Sequence, residues 1–553
     1  MMKTRTLLTV VFIFSSDVFS VSSNLSLDNE AYQFLRRMET LGMIVLPSSL
    51  PLERELIAAF LIEISSGQDR LGAADRESLR RIRREFCREL TERGGADCSP
   101  SPDILYWKDN KGHNDIRLDL TLESSLQVDP QKDRTLFHGM YAPSVFGRIN
   151  KSLHYHLTVD VMGDISNQNE FPEYLNPREH GILYSIPPDD RDFGNGTSNY
   201  RTMDELRGYL QFSLPWFKVM AGKDRVLWGP GRETRLFFNG RASDFEMVKL
   251  FGSFGRLRFS QIMGRMIGDE RDAFKSVAAH RFEYTFYPPW ISSLTLACRE
   301  AVVFNGRTAE LMYAIPVVPI FFAEHYLGDR DNTFTGFDIT SVLRRNLKLY
   351  GELLIDDLES PQNFFSDYYG NKWAYLLGAE YLIPWYTDPE IFMEFSRIEP
   401  WVYTHFLDDG RNKFTHYGNI LGADMGPDSD RWSAGIGFYP LRKLSLSVTY
   451  SRTRHGEGFV LNPDSIPSGQ EHYFGAGNSV HDVHNPVIHG TRKKFLNGTI
   501  EYHDLLQLGA FYRLLDNLRI HGECAYEYTE NPDNQESVTE EEVSFRAGLD
   551  FEW

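Results

Sequence analysis

From residue 543 to the end of the chain, apolar and polar positions alternate without a break. Val543, Phe545, Ala547, Leu549, Phe551 and Trp553 fall on one side, and Ser544, Arg546, Gly548, Asp550 and Glu552 on the other. A period of two marks a strand with one apolar and one polar face. Its length matches a tilted bilayer-spanning strand of about 9–11 residues, so the stretch predicts the closing strand of a transmembrane barrel. The same pattern begins at Ile116, where Ile116, Leu118, Leu120, Leu122, Leu126 and Val128 oppose Arg117, Asp119, Thr121, Glu123, Ser125 and Gln127. This is the natural first strand to pair with the last. It recurs at 153–161, 206–214, 347–355, 432–438, 444–450 and 518–528, with less regular candidates between and a phase shift near Ser396.

Before this region the pattern differs. Lys3 and Arg5 precede an apolar run over 7–14, and Ser20 and Ser22 offer small residues for cleavage, so residues 1–22 are expected to be a secretory signal peptide. No later stretch approaches the roughly 18 apolar residues of a membrane helix, so a mature chain that spans a membrane crosses it as a closed sheet, in bacteria at the outer membrane. No cysteine stands at the cleavage position to carry a lipid anchor. Residues 23–105 show helical spacing and predict three amphipathic helices. Tyr32, Leu35, Met38 and Leu41 form the first, with Asp28 as cap and Gly42 as stop. Leu56, Ala59, Phe60 and Ile64 follow Pro51, and Leu79, Ile82, Phe86 and Leu90 lie between Asp75 and Gly94. Arg80, Arg81, Arg83, Arg84, Arg88 and Arg93 on the third read as a solvated face paired with Glu77, Glu85, Glu89 and Glu92, or as an anion-binding face. Residues 106–553 are assigned to the barrel.

Composition alone conceals this organisation. A chain of 553 residues, 42% hydrophobic, with net charge −19 and mean hydropathy −0.37 looks like a large acidic soluble protein. A barrel that is apolar only on its outer face averages to the same values. The negative charge argues against nucleic acid as a partner. Aromatic residues, at 14%, suit girdles at two membrane interfaces. Of the four cysteines, Cys87 and Cys98 are the only pair close in sequence, and either a bridge or free thiols suits an exported chain. The stretches 163–205 and 456–498, rich in Asn, Asp, Gly, Pro and Tyr, read as outer loops that either bind something outside the cell or cover the mouth.

Several groups carry candidate chemistry. His481, His484 and His489 with Asp482 offer metal-ligand types, but in a loop; Asp424, Asp428 and Asp430 offer oxygen ligands, beside a turn at Gly426-Pro427. Glu352, Asp356, Glu394 and Glu399 include a possible acid pair for glycoside hydrolysis, although lumen-lining charge is the default reading of Glu352. Gly229-Pro-Gly231 lacks the context of a dinucleotide loop, and no phosphate-binding lysine motif or nucleophile elbow occurs. No catalytic residue, cofactor or metal is therefore assigned.

The segments 32–42, 222–231 (Gly-Lys-Asp-Arg-Val-Leu-Trp-Gly-Pro-Gly), 349–357, 397–405 (Arg-Ile-Glu-Pro-Trp-Val-Tyr-Thr-His) and 426–430 together resemble the Wzi family of capsule assembly proteins, over most of the mature chain. The chain departs from the family pattern at Asn239-Gly-Arg-Ala242-Ser243. The resemblance implies an all-β outer-membrane barrel of about 18 antiparallel strands with a periplasmic α-helical region, acting as a lectin-like holder of capsular polysaccharide. Sugar recognition needs aromatic faces and polar partners for hydroxyls. Arg225, Trp228, Glu352, Arg397, Trp401, Tyr403 and His405 are of the right types to contact polysaccharide; Trp228 and Trp401 also suit girdles, and Gly229-Pro-Gly231 and Pro400 also suit turns. The expected partners are surface polysaccharide, outer-membrane lipids and, through the helices, periplasmic export machinery. A diffusion porin shares the strand pattern but does not need the helices before its first strand, and an outer-membrane glycan or lipid hydrolase needs a competent acid pair or a Ser and His together.

Overall fold

The computed structural model describes residues 22–552 apart from 96–97, 101–103, 151, 168–183, 186–198, 215–216, 269–273, 308, 344, 360, 386–388, 407–410, 460–474 and 485–488. The signal peptide expected over 1–22, save its last residue, and the terminal Trp553 lie outside the described residues, as do parts of both predicted outer loops.

Eighteen antiparallel strands close into one barrel. They are β1 Asp115–Asp129, β2 Arg134–Ile149, β3 Leu153–Ser166, β4 Asn199–Ser213, β5 Lys218–Asp224, β6 Phe245–Phe254, β7 Leu257–Ile267, β8 Phe274–Phe286 and β9 Ser293–Asn305, followed by β10 Asn332–Leu343, β11 Leu347–Asp357, β12 Lys372–Leu382, β13 Glu390–Ile398, β14 Ser429–Leu441, β15 Leu444–His455, β16 Glu501–Leu515, β17 Leu518–Glu530 and β18 Thr539–Glu552. The last strand pairs with the first, from Phe545 opposite Val128 to Glu552 opposite Thr121. Alternation sets the faces: Leu122, Leu126, Phe545 and Leu549 are exposed on the outside, whereas Arg117, Gln127 and Asp550 are buried inside. On the outer face Trp373, Tyr375, Phe395 and Trp432 form a chain of ring contacts with centroids 5.8, 5.8 and 4.5 Å apart, a segment of aromatic girdle. Among the described residues no helix is long and apolar enough to cross a membrane.

The N-terminal helices are α1 Ala31–Thr40, α2 Arg54–Ser66, α3 Ala73–Glu85 and α4 Cys87–Glu92. The third predicted helix is thus two, broken at Phe86, whose φ of −96° and ψ of 18° leave the helical region. Asn29, not Asp28, caps α1 by accepting from the Ala31 N–H at 2.9 Å. Gly42 does end it: its φ of +64° is the left-handed conformation that glycine adopts without strain. The apolar stripes meet as read, with Leu35, Met38, Ile57, Leu61, Ile64, Ile82 and Phe86 in one buried cluster. Cys87 and Cys98 form a disulfide.

This bundle sits against the end of the barrel where the strand connections are short. The Asn346 N–H, in the β10–β11 turn, donates to Thr40 O at 2.8 Å, and Arg258 reaches Val45 O at 3.3 Å. The arginine row of α3 pairs in part as expected, Arg80 with Glu77 at 2.7 Å, but it is not only a solvated face. Arg80 and Arg84 pair with Asp516 in the β16–β17 turn, and Arg81 pairs with Glu30, which also holds Arg513 of β16. Charge read as surface decoration ties the bundle to the barrel.

Candidate functional site

Two of the connections at the opposite end turn inward and fill part of the lumen. Residues 225–244, between β5 and β6, and residues 399–406 and 411–428, between β13 and β14, bring Trp228, Phe237, Phe238, Tyr403 and Phe414 into a core shared with Phe334 and Tyr350 of the wall. Trp228 meets Phe238 edge-on at 5.2 Å, and Phe414 lies 5.5 Å from Phe238 and 5.8 Å from Tyr403. Carboxylates from the wall fasten this plug. Glu352 accepts from the N–H groups of Gly231 and Leu236, both at 3.1 Å, and pairs with Arg299 at 2.7 Å. Glu394 accepts from Arg232 N–H and Thr234 N–H at 2.7 Å and from the Tyr350 hydroxyl at 2.9 Å. Gly229, at φ +128°, lies so close to the Glu352 carboxyl that a Cβ would stand 2.4 Å from Oε1. The plug reaches down to the helical end, where Gly229 N–H donates to Ser48 O at 2.8 Å and Arg36 donates to Pro230 O at 3.0 Å. Of the four carboxylates that could include an acid pair, Glu352 and Glu394 hold backbone, Asp356 accepts from the Tyr403 N–H and pairs with Lys372 at 3.4 Å, and Glu399 pairs with Arg397 and with Lys493 at 2.9 Å.

The residue types that suggested sugar contact are mostly inside this plug. Trp228 and Tyr403 have no exposed surface, and Glu352, Trp401 and His405 are buried, so none of these five presents a face to a polymer. The Tyr403 hydroxyl donates to Leu236 O at 2.6 Å. Trp401, at φ +69°, donates its backbone N–H to Gly477 O and packs edge-on against His484 and His489, each 4.9 Å away. Arg225 pairs with Asp244 at 2.7 Å. Arg397 belongs to the outward-facing positions of β13, where it lies over Phe495 at 3.7 Å and pairs with Glu399. The structure therefore gathers Trp228 and Tyr403 in the plug, sets Glu352 of the wall against them and separates Arg397 from all three. Aromatic and charged residues next to glycine and proline serve an inward-folding loop as well as they would serve a binding surface.

Metal-ligand types are similarly divided. Asp424 is held by Arg431 at 3.0 Å and by Arg241, and Asp430 by Arg454 at 2.9 Å. Asp428 accepts from Leu496 N–H at 2.7 Å, and burial pushes its carboxyl up to about 7. His484 stacks on Tyr369 at 3.5 Å, while Asp482 accepts from Gly477 N–H and Ser479 N–H. Among the described residues, the side chains close enough to share an ion are Glu324, His325 and Asp329, in the connection between β9 and β10.

The other half of the lumen, bounded by β14–β18 and β1–β3, is polar and accessible. The inward positions of β15 are Ser445, Ser447, Thr449, Ser451 and Thr453, a column of hydroxyls. Across β16 to β2 they are followed by amides, carboxylates and bases. Gln507 donates to Glu523 at 3.1 Å, Arg546 donates to Gln127 at 2.8 Å, and His138 meets Asp164 at 2.7 Å. Glu123, Gln127, His138, His521, Arg546 and Asp550 line a cavity of about 230 Å³. Phe511, on an inward position of β16, keeps 47% of its surface exposed 6.1 Å from His521. This is a wet wall of hydrogen-bonding groups with an available ring face. Its signal was present in the polar faces of the first and last strands, which single-motif reasoning passes over.

The family model of capsule assembly protein Wzi matches residues 117–542. Among solved structures, Wzi of Escherichia coli, described as an outer membrane protein involved in group 1 capsule assembly and as a carbohydrate-binding β-barrel, is similar over 96% of this chain and 99% of its own, with 14% identity and a TM-score of 0.57. OprD of Pseudomonas aeruginosa is similar over 79% of this chain and 95% of its own (12% identity, TM-score 0.41), and OpdK of the same organism over 79% and 98% (10% identity, TM-score 0.43). No curated protein matches the sequence.

Proposed function

The chain belongs to the Wzi family of capsule assembly proteins, and from that membership we propose that it sits in the outer membrane as a lectin-like holder of surface polysaccharide, with its helices on the periplasmic side. The observation that carries this reading is the division of the lumen: one half is packed shut, the short-turn end is covered by the helical bundle, and the remaining half is a solvated wall of Ser, Thr, Gln, Glu, His and Arg. An inner end covered by helices suits retention better than transport. Hydroxyl-rich polymers are held by many modest polar contacts and by rings that cover a sugar face, often through water. Gln507, Glu523, Arg546 and Gln127 supply the polar contacts, and Phe511 supplies the ring. Glu352 and Glu394 are occupied with backbone N–H groups, which favours holding over hydrolysis.

The test is equilibrium binding of the purified full-length protein to the host's own capsular polysaccharide. Gln507→Ala and Phe511→Ala are each expected to weaken binding by about 1–2 kcal/mol, with the heat-modifiable folded species unchanged. Affinity unaltered by both substitutions would remove the site from this half of the lumen.

A further inference from the structure

Residues 309–331 of the connection between β9 and β10 do not extend away from the barrel mouth but fold down over the outside of the wall. It carries two short helices, α5 Leu311–Ala314 and α6 Ile320–Leu327. On β7, β8 and β9 the inward positions Ile262, Ala279 and Ala301 belong to the lumen core, so Gln261, His280 and Glu300 point outward. These three lie in one row across the sheet. Each holds backbone of the folded-down segment: Gln261 donates to Ala314 O at 2.7 Å, His280 Nε2 meets Tyr313 O at 3.1 Å, and Ile320 N–H donates to Glu300 at 2.9 Å. Above the row, Ala278, Val302 and Phe304 are buried beneath Tyr313, Ile320 and Ala323. Arg307 and the Tyr313 hydroxyl, the latter at 2.7 Å, both bind Asp331 and close the loop on itself.

The opposite face of the segment is bare and mostly apolar, with His325, Asp329 and Arg330 as exposed polar residues towards its end. Leu311 is 79% exposed, Val317 83%, Phe322 67% and Tyr326 79%. Side chains of this kind on a surface loop in water would form an aggregation-prone patch. Here the patch continues the outward apolar band of the wall, where Leu296 of β9 and Phe337 and Ile339 of β10 are exposed just below it. Glu300 lies seven residues from the β9 end nearest the helical bundle. At about 3.3 Å per residue and a tilt of about 40°, that is roughly 18 Å of height, within the upper part of an apolar band about 25 Å tall.

We propose that residues 309–331 form a membrane-interface collar, docked on the wall by Gln261, His280 and Glu300 and inserting Leu311, Val317, Phe322 and Tyr326 among the acyl chains of the outer leaflet. The partner is lipid, and the polar row beneath the segment is satisfied by its backbone instead of facing hydrocarbon unpaired. The collar widens the barrel's grip on the outer leaflet on the side of β7–β10, away from the solvated half of the lumen. The proposal rests on the membrane-spanning reading of the barrel, and its test separates the two.

In full-length protein with Cys298→Ser and Cys524→Ser, spin labels are placed singly through Phe322→Cys, Tyr326→Cys and, as a control on the barrel wall, Leu549→Cys. The protein is reconstituted in phosphatidylcholine–phosphatidylglycerol vesicles, and relaxation of each label is measured with oxygen, which concentrates in lipid, and with a water-soluble nickel chelate. The collar requires oxygen to dominate at 322 and 326 as it does at 549. Dominance of the nickel chelate at 322 and 326, with oxygen dominant at 549, overturns the collar while leaving the barrel in the membrane. Nickel dominance at all three overturns the membrane reading itself. Shielding of 322 and 326 from both reagents, with dipolar broadening between labels, shows a second copy on the patch and likewise overturns the lipid proposal.

Discussion

Arg299 shows how much of this molecule's interior is organised by charge. It is fully buried in the lumen wall and bonds both Glu352 at 2.7 Å and Asp338 at 2.9 Å, with Arg281 closing the group on Asp338 at 2.6 Å. Removing one member of a buried ion group leaves the others charged and uncompensated. Arg299→Met is therefore expected to destabilise the folded barrel by about 3 kcal/mol, read as an earlier loss of the heat-modifiable form; an unchanged midpoint would contradict the role given to Glu352 in fastening the plug. Glu85, on α3 outside the membrane, illustrates a second effect. Burial pushes its carboxyl up to about 7 from 4.5, against the pull of Arg54. A raised acid binds a proton in the folded state that it releases on unfolding, so this contribution is complete below about pH 4.5 and is lost as pH rises through about 7. Its neighbour Glu89 is held down at about 2, because Arg54 and Arg117 outweigh the same burial. Glu85→Gln is expected to slow amide exchange in α3 relative to the parent at pH 8, by about 1–2 kcal/mol given its partial exposure, and to have little effect at pH 4. The reverse pattern would show that the carboxylate is stabilised by Arg54 instead. Neither behaviour is legible in the sequence, because Glu352 and Glu85 look like ordinary polar-face residues until the elements around them are placed.

At the scale of elements, what was legible followed from period. The alternation at 116–128 and 543–552 gave the pairing of β1 with β18 and the face of each residue, and the 3.6-residue stripes gave the bundle core. Two kinds of feature were not legible. The break at Phe86 leaves no mark on the apolar stripe, which runs through it from Leu79 to Leu90. The inward fold of residues 225–244 has no period at all; Leu236, Phe237 and Phe238 are consecutive, and only their occurrence in a loop hints that they are buried. The read of Gly229-Pro-Gly231 as a shaping element agrees with where it lies, whereas Trp228 beside it is core. For the helices, the network from Arg80, Arg81 and Arg84 to Asp516, Glu30 and Arg513 places the bundle over the open half of the lumen. If a chain lacking residues 28–98 folds, its single-channel conductance in planar bilayers should exceed that of the full chain. Equal conductance would mean that the bundle does not close the inner end.

For the whole molecule, the barrel has an apolar exterior, a plug, a helical bundle at its short-turn end and one polar wall, an arrangement that suits the proposed holding of a polymer at a surface. The count of about 18 strands came through the resemblance to the family, not from counting periods, since β5 has only seven residues and β6 to β9 alternate weakly in sequence. The candidate site was the least legible part: most of the residues singled out by type lie in the plug or fasten it, Arg397 faces outward, and the polar wall is spread over many strands with no motif. The most direct test of the account is the ratio of cell-bound to shed polysaccharide in a strain deleted for this chain, with and without its restoration. Retention should fail while synthesis continues, so total polymer is predicted to stay constant as the high-molecular-weight fraction moves into the medium and returns to the cell on restoration. An unchanged ratio, or a fall in total polymer, would contradict a surface-holding role.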